Sequence, residues 1–369
     1  MLVDKFECYG DTADLMAASR LADWLMEKWQ REDGAYHNHG IIYTSVIYVA
    51  KSMLELSIAE KKAAAEGNSF AEAGSRHYES AKRAIDQLVA SKGNFETEGQ
   101  MTFEDGMISC SALQIGMLAL MQEDEGNRRH YMDAMLEILE SHECLAQLHI
   151  PDARRRGGTM RFWEAQYDVM MLPNMFNSPH GWSAWRAYAT WYAYLLTGEE
   201  KWLVQTFNAA GAFSELIDTR TGRLRWAFVV DPYIEAEQTC SIDERYTFSD
   251  LSFGNPHPHL YETRHFILGE EYVDMVSSWQ TVNTQDNDVH EVFKFMGETV
   301  LSNAFIIERE DGSMAGYNCR IEKDGKILTV TADEPQITNL HMNLRHEFTV
   351  RFNGSEFKAG KGLGWAEPR

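Results

Sequence analysis

Three stretches of this chain read as helices that are apolar on almost every face, and all three open alike. His39-Gly40-Ile41-Ile42-Tyr43 aligns with Asp105-Gly106-Met107-Ile108-Ser109 and with His180-Gly181-Trp182-Ser183-Ala184. The intervals Gly40 to Gly106 and Gly106 to Gly181 are 66 and 75 residues. A helix apolar all round has to be covered by something else. The covers are amphipathic patterns over residues 12–29, 71–91, 127–147 and 199–217, the first with Thr12 as its expected N-cap. The last three open on charged residues just before Tyr78, Tyr131 or Trp202.

A row of such pairs buries its apolar members only by curving or closing on itself, and closure of six pairs makes an (α/α) toroid. The period is too long for a short-repeat solenoid and suits long hairpins with loops inserted at one end. Three hairpins are plain, and helical patterns at 258–279 and 288–306 bring the number to about five, one short of a full ring. The segment 218–256 interrupts the pattern: Asp218 to Trp226 reads as a turn into a short strand, followed by a long loop to Pro256. Beyond Ile306 the period becomes two. Hairpins with an Asp324-Gly325 turn and an Asn353-Gly354 turn are expected there. The expected architecture is mainly α: a six-hairpin type toroid, possible in an incomplete form, over residues 1–306, and a small C-terminal β module over 307–369.

The balance of 56 acidic against 34 basic residues gives a formal charge of −22. That field repels nucleic acid and anionic membranes, so neither is expected as a partner. The exception is a local basic run, Arg154-Arg155-Arg156 with Arg161. Five scattered cysteines without a C-x-x-C pair argue against a disulfide framework and a zinc site, and Cys110 and Cys144 read as core residues. His37 with His39, and His257 with His259, are paired two apart, yet no metal-ligand motif or glycine-rich phosphate loop accompanies them, so no metal or cofactor is expected. The opening MLVDKFECYGD is charged rather than apolar, and no run is long enough to span a membrane; the expected location is the cytoplasm.

In repeated hairpins, the loops leading into the inner helices open at the same end. Here they are HNHG (37–40), TFEDG (102–106) and NSPHG (177–181), with GNPHPHLYETRH (254–265) as a divergent fourth. Plain turns would carry turn formers without recurrent histidines. Helix N-termini there present free N–H groups that suit carboxylates and hydroxyls. The chain also holds ten tryptophans, which fill cores or stack on flat ligands.

The stretches WQREDGAY, FEDG, TGEEKWLVQTFNAAGAF and above all FNSPHGWSAWRAYATWYAYLLTG resemble the six-hairpin glycosidase superfamily and the related α/α-toroid polysaccharide lyases, over residues 12–306. The motifs are architectural rather than catalytic. The resemblance implies a sugar-binding pocket, often for uronic acids, with carboxylate catalysis. Glu104 and Asp105 are then the acid/base candidates, with His180 beside them, and Glu164, Glu262 and Glu291 as further carboxylates. Each of the first two equally suits a helix N-terminus as a stabilising charge. Trp163, Trp182 and Trp185 are candidate stacking walls, at least one of them core. Arg161 suits a uronate carboxylate, and His37, His39, Tyr43, His257 and His259 complete the candidate substrate contacts. The expected activity is glycoside hydrolysis of uronic-acid-containing oligosaccharides. The alternatives are a β-eliminating lyase using His180, His257 or His259 with Tyr43 or Tyr261, a sugar epimerase, and a non-catalytic glycan-binding toroid.

Overall fold

A computed structural model describes residues 1–36, 49–65, 70–91, 105–141, 143, 175–177, 181–214, 228–230 and 287–366. Its helices are α1 (Leu2–Tyr9), α2 (Thr12–Trp29), α3 (Val49–Ala65), α4 (Ala71–Ser91), α5 (Asp105–Leu120), α6 (Glu125–Ser141), α7 (Gly181–Thr197), α8 (Glu200–Ser214) and α9 (Asn287–Glu298). The N-cap of α2 is Asp11, one residue before the expected Thr12; its carboxylate accepts from the Ala13 N–H at 2.9 Å. A carboxylate at that position answers both the orphan donor and the helix dipole.

The burial follows the apolar pattern. In α5 every residue from Ile108 to Ala119 is buried, and α7 is buried from Trp185 to Trp191. Each is followed, across a short connection, by an amphipathic helix that covers it: α6 for α5, α8 for α7. Between α5 and α7 the backbones approach closely at Gly116. A side-chain carbon there would sit 2.5 Å from Met135 Sδ and 3.1 Å from Tyr192 Cβ. Gly116 and Tyr192 each stand eleven residues past the first residue of their helices, Asp105 and Gly181. Gln114 of α5 and Tyr188 of α7 both meet the start of α3, at Ala50 and Lys51, while Gly116 meets Tyr192. Neighbours thus follow in the same order along both helices, so α5 and α7 run parallel and in step.

The helical pattern expected over 288–306 is shorter than that. It stops at Glu298, and β3 (Asn303–Glu308) already begins at Asn303, four residues before the expected start of the module at 307. Strand β3 is buried on both faces, which gave its sequence NAFIIE no clear period. The module then runs through β4 (Met314–Tyr317), β5 (Cys319–Asp324), β6 (Ile327–Ala332), β7 (Asn339–Leu344), β8 (Phe348–Phe352), β9 (Ser355–Ala359) and β10 (Gly362–Ala366). These form two four-stranded sheets, ordered β10-β7-β3-β4 and β5-β6-β8-β9, with β3–β7 and β6–β8 parallel. Both expected turns are present: Gly325 has φ +57°, and Asn353 and Gly354 have φ +47° and +79°, the positive values a tight hairpin needs.

Alternation along β3 joins the two halves. Ala304 and Ile306 point into the core between the sheets, whereas Phe305 and Ile307 point into the helical core. Phe305 meets Trp191, Tyr194 and Phe207 edge-on. Polar links frame that contact: Arg309 pairs with Glu200 through two nitrogens, Tyr317 donates to Glu200 at 2.6 Å, and Asn343 donates to the Gly198 carbonyl at 2.7 Å. Of the cysteines, Cys8 is exposed and Cys110 and Cys319 are buried, all three as free thiols.

Candidate functional site

The candidate site is the end at which the apolar helices begin. Helix α5 starts at Asp105 and α7 at Gly181, and their parallel, in-step packing puts both N-termini at one end of the body. Each leaves its first N–H groups without helical partners, directed out of that end. Strand β1 (Met175–Asn177) leads into α7 and pairs antiparallel with β2 (Phe228–Val230), Asn177 opposite Phe228. The short strand expected near Trp226 therefore exists two residues further on, beside the NSPHG loop.

A second support stands in the chain just before the HNHG segment. The turn between Gln30 and Tyr36 is closed by a bridge between those two residues and by Arg31 N donating to Ala35 O. Gly34 makes it possible: its φ is +97°, and a Cβ there would fall 2.5 Å from the Arg83 carbonyl oxygen. Ser80 on α4 donates to Gln30 Oε1 at 2.7 Å, so the buried Tyr36 hydroxyl donates to Ser80 Oγ, at 2.6 Å. Burial pushes the Tyr36 phenol up to about 12, so it stays a donor at any physiological pH. The chain is thus pinned to α4 at the residue just before His37.

About 10 Å below the start of α7, seven residues along, Tyr188 belongs to a buried charged cluster. Lys51 of α3, fully buried, lies 4.5 Å over the Tyr188 ring and pairs with Glu55. The charge of Glu55 acts on both Tyr188 and Tyr192. Lys294 of α9 joins Glu55 at 2.9 Å and Asp4 of α1 at 2.7 Å, and Tyr188 donates to Glu298 at 2.8 Å. Burial pulls the Lys51 ammonium below its ordinary value. Burial also opposes the charges of Glu55 and Lys294, yet their mutual attraction wins: the carboxyl is held low and the ammonium high. Tyr188 and Tyr192 are pushed well above the usual phenol range by burial. With its charges answered internally, the cluster acts as a clasp, joining the first helices to the last beneath the loop end.

Sequence reasoning did not single out this cluster. Its trace was legible, since Lys51 is the sole charged residue between Gly40 and Glu55, and both Lys51–Glu55 and Lys294–Glu298 have the i,i+4 spacing.

Of the residues expected in the site, Asp105 is the first residue of α5 and Trp182 the second of α7. The side chains of both lie outside the described set. Glu104, His180, His37, His39, Tyr43, Arg161, Trp163, His257, His259 and Glu262 lie outside the described residues altogether, as do Glu164 and Tyr261. So do the expected helix at 258–279, Cys144 and the basic run 154–156. Trp185 is described: it is 1% exposed and belongs to the helical core. Its neighbour Arg186, equally buried, donates to Gln205 of α8 at 2.7 Å, which turns it toward the covering helix. Among the described residues no three His, Cys, Asp or Glu side chains gather as metal ligands, and no helix is long and apolar enough to cross a membrane.

No family model matches the chain, and no curated protein is significantly similar to it. Among solved structures it is similar to a D-mannose isomerase, with 11% identity and a TM-score of 0.45 over 62% of this chain and 60% of that one. It is also similar to a polysaccharide lyase, with 15% identity and a TM-score of 0.36 over 63% of this chain and 38% of the other. The chain thus spans less than two thirds of the length of either, and the likeness is too slight to assign an activity.

Proposed function

We propose that the helical body is the catalytic part of a carbohydrate-active enzyme, a glycoside hydrolase acting on uronic-acid-containing oligosaccharides. The observation that carries this reading is the in-step packing of α5 and α7, which brings to one end of the fold the two helix N-termini that the FEDG and NSPHG segments lead into. A ring of six hairpins, complete or short by one, is the architecture that gathers the HNHG loop and the 254–265 loop at the same mouth. In this reading Glu104 and Asp105 supply the acid and base, and His180 assists at the neighbouring helix entrance. Hydrolysis needs one group to protonate the leaving oxygen and another to activate or replace water opposite it. Arg161 holds the uronate carboxylate, Trp163 and Trp182 stack on sugar rings, and His37, His39, Tyr43, His257, His259 and Glu262 line the mouth.

The test is a screen of uronide oligosaccharides, read in parallel for new reducing ends and for the ultraviolet absorbance of an unsaturated uronate. Reducing ends without that absorbance support hydrolysis. The absorbance assigns a lyase using the same loops, and neither signal on any uronide overturns the reading. Removing a general acid or base lowers turnover by about 10²–10⁴-fold, whereas losing a helix-end charge lowers stability by about 0.3–1 kcal/mol. Asp105→Asn and His180→Ala, each assayed for turnover and for Tm, separate the two roles.

A further inference from the structure

The two-sheet module has a feature that the reading of the helical body does not use. Four of its turns meet at one end: those joining β3 to β4, β5 to β6, β7 to β8 and β9 to β10. Between them lies a groove of about 600 Å³. Lys323, Lys326 and Lys361 line it, three of the four lysines in residues 303–369, together with His346 and the carboxylates of Glu308 and Glu347. In a chain of net charge −22, lysines outnumber carboxylates three to two around this groove.

The groove is held in shape from below. Glu308, at the end of β3, is only 4% exposed. One of its carboxylate oxygens accepts from the backbone N–H groups of Arg345 and His346, each at 2.9 Å, and the other meets His346 Nδ1 at 2.9 Å. Burial opposes that charge, but the His346 side chain and the two N–H groups outweigh it and hold the carboxyl low. Glu308 thus fixes the β7–β8 turn in one conformation. Lys323 is steadied as well, 3.8 Å from Glu308 and 5.1 Å over the Phe348 ring. Lys326 and Lys361 are exposed, and neither has a side-chain partner among the described residues. Two steadied groups and two free cations around one groove make a receptor for spaced negative charges.

We infer that this groove binds an acidic saccharide, its carboxylates or sulfates paired to Lys326 and Lys361, as a second glycan site separate from the loop end of the helical body. A uronate chain bears at most one charge per sugar, which suits a few separated ammonium groups. Nucleic acid carries its charge far more densely and meets the repulsion of the whole acidic chain. The groove also offers no exposed aromatic face for stacking bases, as Phe348 is 5% exposed.

The test is calorimetric titration of the full chain with a short oligogalacturonate, and with a sulfated oligosaccharide to tell carboxylate from sulfate. Lys326→Glu with Lys361→Glu is the test variant, and Lys358→Glu, on β9 outside the groove, is the control. The test variant is expected to lose one binding site per chain and to weaken that site's affinity at least tenfold, while the control keeps it. Unchanged stoichiometry and affinity in the test variant overturns the inference. So does an equal loss in Lys358→Glu, or no binding of either saccharide to the unaltered chain. An oligonucleotide that binds more tightly and is lost in the same variant assigns the groove to nucleic acid instead. Turnover of short uronides is expected to be unchanged in the test variant, so failure here and failure of the catalytic reading are separate results.

Discussion

Lys294 Nζ lies 2.9 Å from Glu55 Oε1, across 239 residues of sequence, and the same ammonium reaches Asp4 at 2.7 Å. The last described helix of the body is thereby fastened to the first and third. Lys294 is only 10% exposed, so little water replaces it when it is removed. Lys294→Met leaves Glu55 with Lys51, and leaves Asp4 with the Met1 ammonium at 2.6 Å. The expected cost is about 2–4 kcal/mol, set somewhat below the range for a broken buried pair because Glu55 and Asp4 each keep a cation and some solvent. Urea unfolding of the variant measures it, and a loss below about 0.5 kcal/mol would show the clasp to be ornamental.

The Gln30–Tyr36 turn makes a backbone prediction. Gly34→Ala puts a methyl group 2.5 Å from the Arg83 carbonyl oxygen at φ +97°, where side-chain-bearing residues rarely go. A loss of about 1–3 kcal/mol is expected, together with weaker protection of the Tyr36 amide in hydrogen exchange. Normal stability in this variant would mean that the turn does not hold the start of the HNHG loop.

His341 gives the fold a pH dependence. It is stacked on Phe305 at 5.2 Å, stands edge-on to Trp191, and lies 2.9 Å from Asn303 Oδ1 through Nε2. Burial lowers its pKa to about 4. Unfolding returns it to about 6.5, so between those values the unfolded chain binds more protons and stability falls as pH falls. The contribution is fully present above pH ~6.5 and about 2.5 kcal/mol of it is gone by pH ~4.5. His341→Gln keeps a donor for Asn303 and cannot take up the proton. Its stability difference between the two pH values should be smaller than that of the unaltered chain by this amount, measured by urea unfolding at each.

Phe305 ties the module to the body. Phe305→Ala should cost about 3–5 kcal/mol, because the ring is fully buried among Trp191, Tyr194 and Phe207. Ile306→Ala, one residue on, empties the other core. If the two cores unfold together, calorimetry will show one transition for the unaltered chain and both variants will lower it; independent transitions would refute the coupling through β3.

Local order was the most legible part of this chain. The helix over 71–91 and the hairpins at Asp324-Gly325 and Asn353-Gly354 lie where the pattern places them, because capping, period and positive φ depend on residues only a few positions apart. The alignment of Gly106 with Gly181 also carried into space, since two equivalent helices bury equivalent faces and come to rest in step. The strand start at Asn303 was read four residues late, because a strand covered on both sides has no alternation to read. Pairings between distant charges were beyond the sequence. Lys51 in an apolar run announces a buried partner, but Lys294 and Glu298 of α9 come near it, and Asp4 of α1 reaches Lys294, only because packing brings those helices together. Which face of β3 meets which core, which lysines share one groove, and which carboxylate answers Lys294 were decided by tertiary structure. Desolvation and ion pairing act over a few ångströms in space, whatever the distance along the chain.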